Sequence, residues 1–161
     1  MKISIGNKIM LADANCPIED RGDLDKIELH NVKGGVWEAE LSKIPKSNEH
    51  QNHDTHILIL SSDGVDIFGE GIKREYVDGP DIMSGTLGIF DNDYYHRYHT
   101  DDIVDNKWFG GAMKQLYRST SGIAEIDNDC LLVKTTEKDI YCRTKVYKDK
   151  DGLICGIVMS V

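Results

Sequence analysis

Ile82-Met83-Ser84-Gly85-Thr86-Leu87-Gly88-Ile89-Phe90-Asp91 is an apolar run interrupted twice by glycine, and its reading decides the fold. Glycine inside a strand pattern marks a bulge or a close backbone approach, so the run predicts a sharply curved β-strand. Gly79-Pro80-Asp81 introduces it, and Lys73 to Val77 before it is a polar strand candidate. Further upstream, Ile57-Leu58-Ile59-Leu60 predicts a buried strand. It turns at Ser61-Ser62-Asp63-Gly64 into a second strand, Val65 to Phe68.

Toward the N-terminus, Ile3 to Ala12 carries Gly6-Asn7 as a turn signal between two apolar stretches, which fits a tight hairpin or a bent strand. Asn15 to Asp25 reads as loop, and Lys26 to His30 as a short alternating strand. In Val36 to Leu41 the side chains of Trp37, Ala39 and Leu41 share one face, which should point into the core. Residues 42–54 carry proline, asparagines and charges without periodicity, and predict a mobile loop.

Toward the C-terminus, Asp105 or Asn106 caps a helix through Trp108, Ala112 and Leu116, with Phe109 and Met113 widening its apolar face. It is the one helix the pattern supports. Gly110-Gly111 lowers its propensity by about 1 kcal/mol per glycine, so packing must hold it, with the paired glycines allowing close approach to a sheet. Strands follow at Ile123 to Ile126, Cys130 to Lys134, Asp139 to Tyr147 and Leu153 to Val161. The last two are joined by Lys148-Asp149-Lys150-Asp151-Gly152, a hairpin loop with glycine where a positive φ is needed. The expected fold is α+β and mainly β: a predominantly antiparallel curved sheet, sandwich or partial barrel. It carries one packed helix at about 105–118, all in a single β-rich domain over 1–161.

The 161 residues hold 28 acidic and 19 basic side chains, a net charge of −9. Such a surface repels phosphate backbones and anionic membranes, so direct nucleic-acid binding and membrane association are not expected. The run Ile9-Met10-Leu11-Ala12 is too short for an export signal, and no apolar stretch is long enough to span a bilayer, so a cytoplasmic location is expected. In a reducing compartment Cys16, Cys130, Cys142 and Cys155 are free thiols; alternation places Cys142 and Cys155 in the core as small hydrophobes.

Chemistry-bearing residues cluster after the curved strand. Asp91-Asn92-Asp93-Tyr94-Tyr95-His96-Arg97-Tyr98-His99 mixes carboxylates, phenols and imidazoles. A pocket floored by Ser84, Gly85 and Thr86 and walled by Asp91, Tyr94, His96 and His99 would give a ligand backbone N–H groups and an imidazole near neutral pH. Asp93 and Tyr95 join the candidate ligand- or partner-binding set. A structural role competes for Asp91, as a cap on the turn after the strand. His50, His53 and His56 follow an H-x-x-H-x-x-H pattern, a metal-binding alternative without a standard zinc spacing. Phosphate-loop, dinucleotide, nucleophile-elbow and H-E-x-x-H motifs are absent, and no catalytic residue, metal ligand set or cofactor is assigned.

Val77-Asp78 with Ser84-Gly85, Gly88-Ile89-Phe90 and Asp91 resembles a signature of small uncharacterised bacterial and phage proteins, Val-Asp-Ser/Ala-Gly-x-x-Gly-Ile/Phe-Phe/Met-Asp. The likeness runs on through Trp108, Gly122-Ile123 and the closing hairpin Tyr141 to Val158, about half of the chain. Ile82-Met83 departs where the signature has Val-Asp, and Glu137-Lys138-Asp139 departs where those proteins carry Gly-Asp-Gly. The resemblance implies a β-rich architecture and names no activity. With the acidic charge and the missing catalytic motifs, it leads to the expectation of a non-catalytic binding or accessory protein. Such a protein would be phage-borne or act in microbial conflict, holding a protein partner on an acidic surface or the Tyr94 to Asp102 stretch. A small-ligand-binding protein or hydrolase-like enzyme with its pocket near 84–99 is the alternative.

Overall fold

The computed structural model describes residues 1–15, 26–44, 55–100 and 104–161. The first strands in chain order are β1 (Lys2–Ile5), β2 (Lys8–Asp13), β3 (Lys26–His30), β4 (Gly35–Ile44) and β5 (Thr55–Ser62). After these come β6 (Lys73–Val77), β7 (Asp81–Ile82), β8 (Thr86–Asp91) and the helices α1 (Asn92–Tyr98) and α2 (Asn106–Arg118). The chain closes through β9 (Ile123–Ile126), β10 (Cys130–Lys134), β11 (Ile140–Tyr141), β12 (Thr144–Lys148) and β13 (Ile154–Ser160). One sheet has six strands in the order β1-β4-β5-β13-β12-β6, a second has five in the order β3-β2-β8-β10-β9, and β11 pairs with β7. Every ladder between these strands is antiparallel, and the fold is α+β, mainly β, without closure into a barrel.

The hydrophobic pattern of each sheet follows from what covers it. One core cluster lies between the sheets, joining Trp37, Leu58 and Ile157 of the larger to Leu11, Ile89 and Leu131 of the smaller. A second lies on the far face of the smaller sheet, where Met10, Phe90 and Leu132 meet Tyr94 and Tyr95 of α1 and Trp108 and Leu116 of α2. Strands β2, β8 and β10 are therefore buried on both faces and read as continuous apolar runs, whereas β4 alternates buried Trp37 and Ala39 with exposed Glu38 and Glu40.

Four strand expectations are corrected. Gly6-Asn7 does not close a hairpin: β1 and β2 lie in different sheets, and both turn apolar side chains into the core they share. The local backbone bonds go elsewhere, Ser4 N–H to Asn128 O at 2.6 Å and Val32 N–H to Asn7 O at 3.1 Å. Val65 to Phe68 is a turn, because the Asp66 carboxylate accepts from Phe68 N–H at 3.0 Å and its carbonyl from Gly69 N–H at 3.1 Å. The Ile82 to Asp91 run is not one curved strand. It breaks at Met83-Ser84-Gly85, with Gly85 at φ +81, into β7 and β8 in separate sheets. Asp139 to Tyr147 likewise divides into β11 and β12.

A second helix, α1, joins the expected one, and the paired glycines of α2 face open space instead of a sheet. Residues 42–44 of the expected loop extend β4; 45–54 lie outside the described residues, as do 16–25 of the loop read at Asn15 to Asp25. Gly152 has φ +80 in the β12–β13 hairpin, as the turn requires. At Gly88 an added Cβ would fall 2.1 Å from the Phe90 ring, so this glycine lets Phe90 fold back over its own strand.

Candidate functional site

Ser84 and Gly85 sit at the break before β8, and Asp91 sits at that strand's other end, roughly 20 Å away at the usual strand rise. The break is built around Asp13, a buried carboxylate at the end of β2. Its Oδ2 accepts from Met83 N–H at 2.8 Å and Ser84 N–H at 2.7 Å, and its Oδ1 from the Ser84 hydroxyl at 2.5 Å and Asn15 N–H at 2.9 Å. These bonds hold Ser84 from inside the molecule.

Asp91 is the N-cap of α1, accepting from Asp93 N–H at 3.0 Å and Tyr94 N–H at 3.4 Å, while its other oxygen takes Gly6 N–H at 2.8 Å. Within α1 the helical period separates the other candidates: Asp93 and His96 face solvent, and Tyr94 and Tyr95 face the second core. The Tyr94 hydroxyl donates to Asp127 Oδ2 at 2.7 Å and accepts from Trp108 Nε1 at 2.8 Å. Burial and the Asp127 carboxylate push its ionisation far above the ordinary phenol value. His99 is buried and stacked on Tyr95 at 4.3 Å, with Nδ1 3.2 Å from Tyr95 O and Nε2 3.3 Å from Ala14 O. Burial lowers its pKa, opposed by the two carbonyl contacts.

The eight candidates thus divide among an inter-strand break, a helix cap, a buried aromatic cluster and a solvated helix face. A groove of about 240 Å³ is lined by Ser84, Gly85 and Thr86, but the residues that join them are Tyr117 on α2, Lys134 at the end of β10 and Lys138 beyond it. Of the histidine triplet, His50 and His53 lie outside the described residues, and His56 is on β5. Among the described residues no group of three or more His, Cys, Asp or Glu side chains is placed to hold a metal ion. Cys130, Cys142 and Cys155 are buried free thiols, and burial raises all three, Cys142 to about 12. Thiolate nucleophiles are disfavoured at those positions.

Among the described residues no helix lies on the outer face of the six-stranded sheet, which carries the exposed Phe68 and Tyr76. Strand registers set Glu40, Ile59, Val158, Lys145 and Tyr76 in one row across it, and Glu38, Ser61, Gly156, Tyr147 and Arg74 in the next. Above the second row the 65–72 loop stands on the sheet. Ile67 fills the space that a Gly156 side chain would need, and Phe68 meets Tyr147 edge-on at 5.5 Å. Phe68 is 67% exposed and Tyr76 70%, with Lys145 Nζ 5.2 Å and the Arg74 guanidinium 5.9 Å from the Tyr76 ring. Tyr76, Asp78, Tyr141 and Arg143 line an open groove of about 580 Å³ at the β12–β6 side. At the opposite side, Lys2, Glu38, Glu40, Ile59 and Ser61 line a hollow of about 360 Å³.

These residues were missed in sequence reasoning because each alone is a single exposed side chain on a polar strand. The alternation Arg74, Tyr76 and Lys145, Tyr147 carries the signal, two strands with a cation and a tyrosine on one face. No protein-family model, curated protein or solved structure matches the chain.

Proposed function

We propose that this chain is a non-catalytic binding protein that holds a protein partner on the open face of its six-stranded sheet. One observation carries the reading: Phe68 and Tyr76 are exposed beside Arg74 on this face, with Tyr141 and Arg143 lining the groove at its β6 edge. Tyrosine, phenylalanine and arginine are favoured at interface centres, because they bring large contact area and bidentate hydrogen bonding at little entropic cost. Ser84, Asp91, Tyr94 and His99 of the 84–99 segment are by contrast engaged in caps and buried hydrogen bonds, which favours binding over catalysis. A setting in phage biology or microbial conflict belongs to the same proposal.

The test is a low-salt pull-down from cells of the native host, with the wild type beside Phe68→Ala and Tyr76→Ala. A specific protein retained by the wild type and lost with either variant is the expected outcome. Nothing above background, or equal recovery with all three baits, overturns the reading.

A further inference from the structure

We infer that the partner is a second copy of this chain, packed face to face on the six-stranded sheet about a two-fold axis that runs along the strands between β5 and β13. The inference rests on the binding-protein reading for its choice of surface. Its own warrant is that this face is complementary to itself under that one rotation.

The axis places each strand over its counterpart across the midline: β5 over β13 of the second copy, and β4 over β12. In the row Glu40, Ile59, Val158, Lys145, the acid then meets the base of the other copy at both ends, and Ile59 meets Val158 in the middle. Charge in this row is distributed for the arrangement, with Glu40 on β4 and Lys145 on β12, whereas at the ends of the next row, away from the midline, Lys2 of β1 falls opposite Arg74 of β6. An isologous contact requires such a division, because each half of the patch must complement the other.

Shape follows the same symmetry. The 65–72 loop rises over Gly156 and Tyr147, on β13 and β12, so the rotation brings Phe68 over β5 and β4 of the second copy. That position is the hollow of about 360 Å³ between Lys2, Glu38, Glu40, Ile59 and Ser61. A knob on one half of the face thus meets a depression on the other, twice per dimer. The Lys2 ammonium, held 2.9 Å from Glu38, lies at the rim where it can approach the inserted ring.

The area is sufficient. Six strands about 4.8 Å apart, with about 20 Å of strand length, present on the order of 600 Å² per copy, or about 1,200 Å² in all, at the lower end of the range of stable specific interfaces.

Charge reversal tests it on the full chain. Sedimentation velocity of the wild type should show a species of twice the 18.1 kDa chain mass. Glu40→Lys and Lys145→Glu, both at solvent-accessible positions, should each weaken dimerisation by about tenfold or more, since every dimer contains the altered contact twice. Equimolar mixing of the two variants should restore a heterodimer, and the double variant should restore the homodimer. Circular dichroism checks that each variant keeps its fold. A monomeric wild type, a dimer indifferent to both reversals, or failure of the mixture to recover overturns the inference. If the wild type is monomeric while the pull-down still depends on Phe68 and Tyr76, self-association falls and the binding-protein reading stands.

Discussion

Replacing Asp13 by asparagine changes one oxygen for an amide nitrogen and tests whether the Ser84-Gly85 break is held from within. Four donors converge on the Asp13 carboxylate: Asn15 N–H, Met83 N–H, Ser84 N–H and the Ser84 hydroxyl. Asparagine retains one acceptor, which serves the two amides of Met83 and Ser84. Its NH₂ group then faces Asn15 N–H, donor against donor, while the Ser84 hydroxyl turns to accept. One charge-assisted bond is lost and one amide is left unpaired, a cost of about 2–3 kcal/mol. For a chain of this size the midpoint falls by about 2–4 °C per kcal/mol, so thermal unfolding should drop by about 5–10 °C. Asp13→Ala strands all four donors and should cost about 4 kcal/mol or more. Ser84→Ala, which removes the hydroxyl alone, should cost about 1 kcal/mol. Urea unfolding with shared m-values measures all three, and an Asp13→Asn variant within about 0.5 kcal/mol of wild type would refute the reasoning.

Three other perturbations have defined outcomes. Gly88→Ala puts a methyl 2.1 Å from the Phe90 ring and should destabilise by about 1–3 kcal/mol in chemical denaturation, with near-ultraviolet dichroism reporting displaced aromatic rings. Tyr94→Phe leaves Asp127 and the Trp108 indole N–H without their shared partner and should cost about 1–3 kcal/mol, with a shift in tryptophan emission. His99 has its folded pKa depressed below 6.5 by burial, so its contribution to stability is fully present above the unfolded value and is lost as pH falls through the folded one. Thermal midpoints should therefore fall more steeply on acidification for wild type than for His99→Gln; parallel slopes would count against the assignment.

Much of the strand content was legible locally. Lys26 to His30, Lys73 to Val77, Ile123 to Ile126 and Cys130 to Lys134 match β3, β6, β9 and β10 residue for residue, because short strand-forming runs and the turn residues that bound them are properties of neighbours in sequence. The α2 helix was legible for a similar reason: Asp105 caps it through Trp108 N–H at 2.8 Å, and Trp108, Ala112 and Leu116 recur on one face. The seven-residue α1 was not, since it is too short to show a full period and its aromatic residues are modest helix formers. Its readable signals are the Asp91 cap and the spacing of Tyr94, Tyr95 and Tyr98.

The candidate site divided along the same line. That Asp91 caps the turn after the strand follows from a carboxylate placed ahead of a polar, glycine-free stretch, and sequence reasoning weighed that role. The partner of Ser84 was hidden, because Asp13 lies 71 positions away and reaches it only through the pairing of β2 with β8. Sequence by itself determined most of the strands, the longer helix and the apolar face of each, since backbone geometry and side-chain period act over a few residues. Only the tertiary structure decided that the Gly6-Asn7 and Met83-Ser84-Gly85 breaks carry the chain between sheets, and that Phe68 and Tyr76 share one open face. Those relations depend on hydrogen bonds and core contacts between residues remote in sequence, which no local pattern encodes.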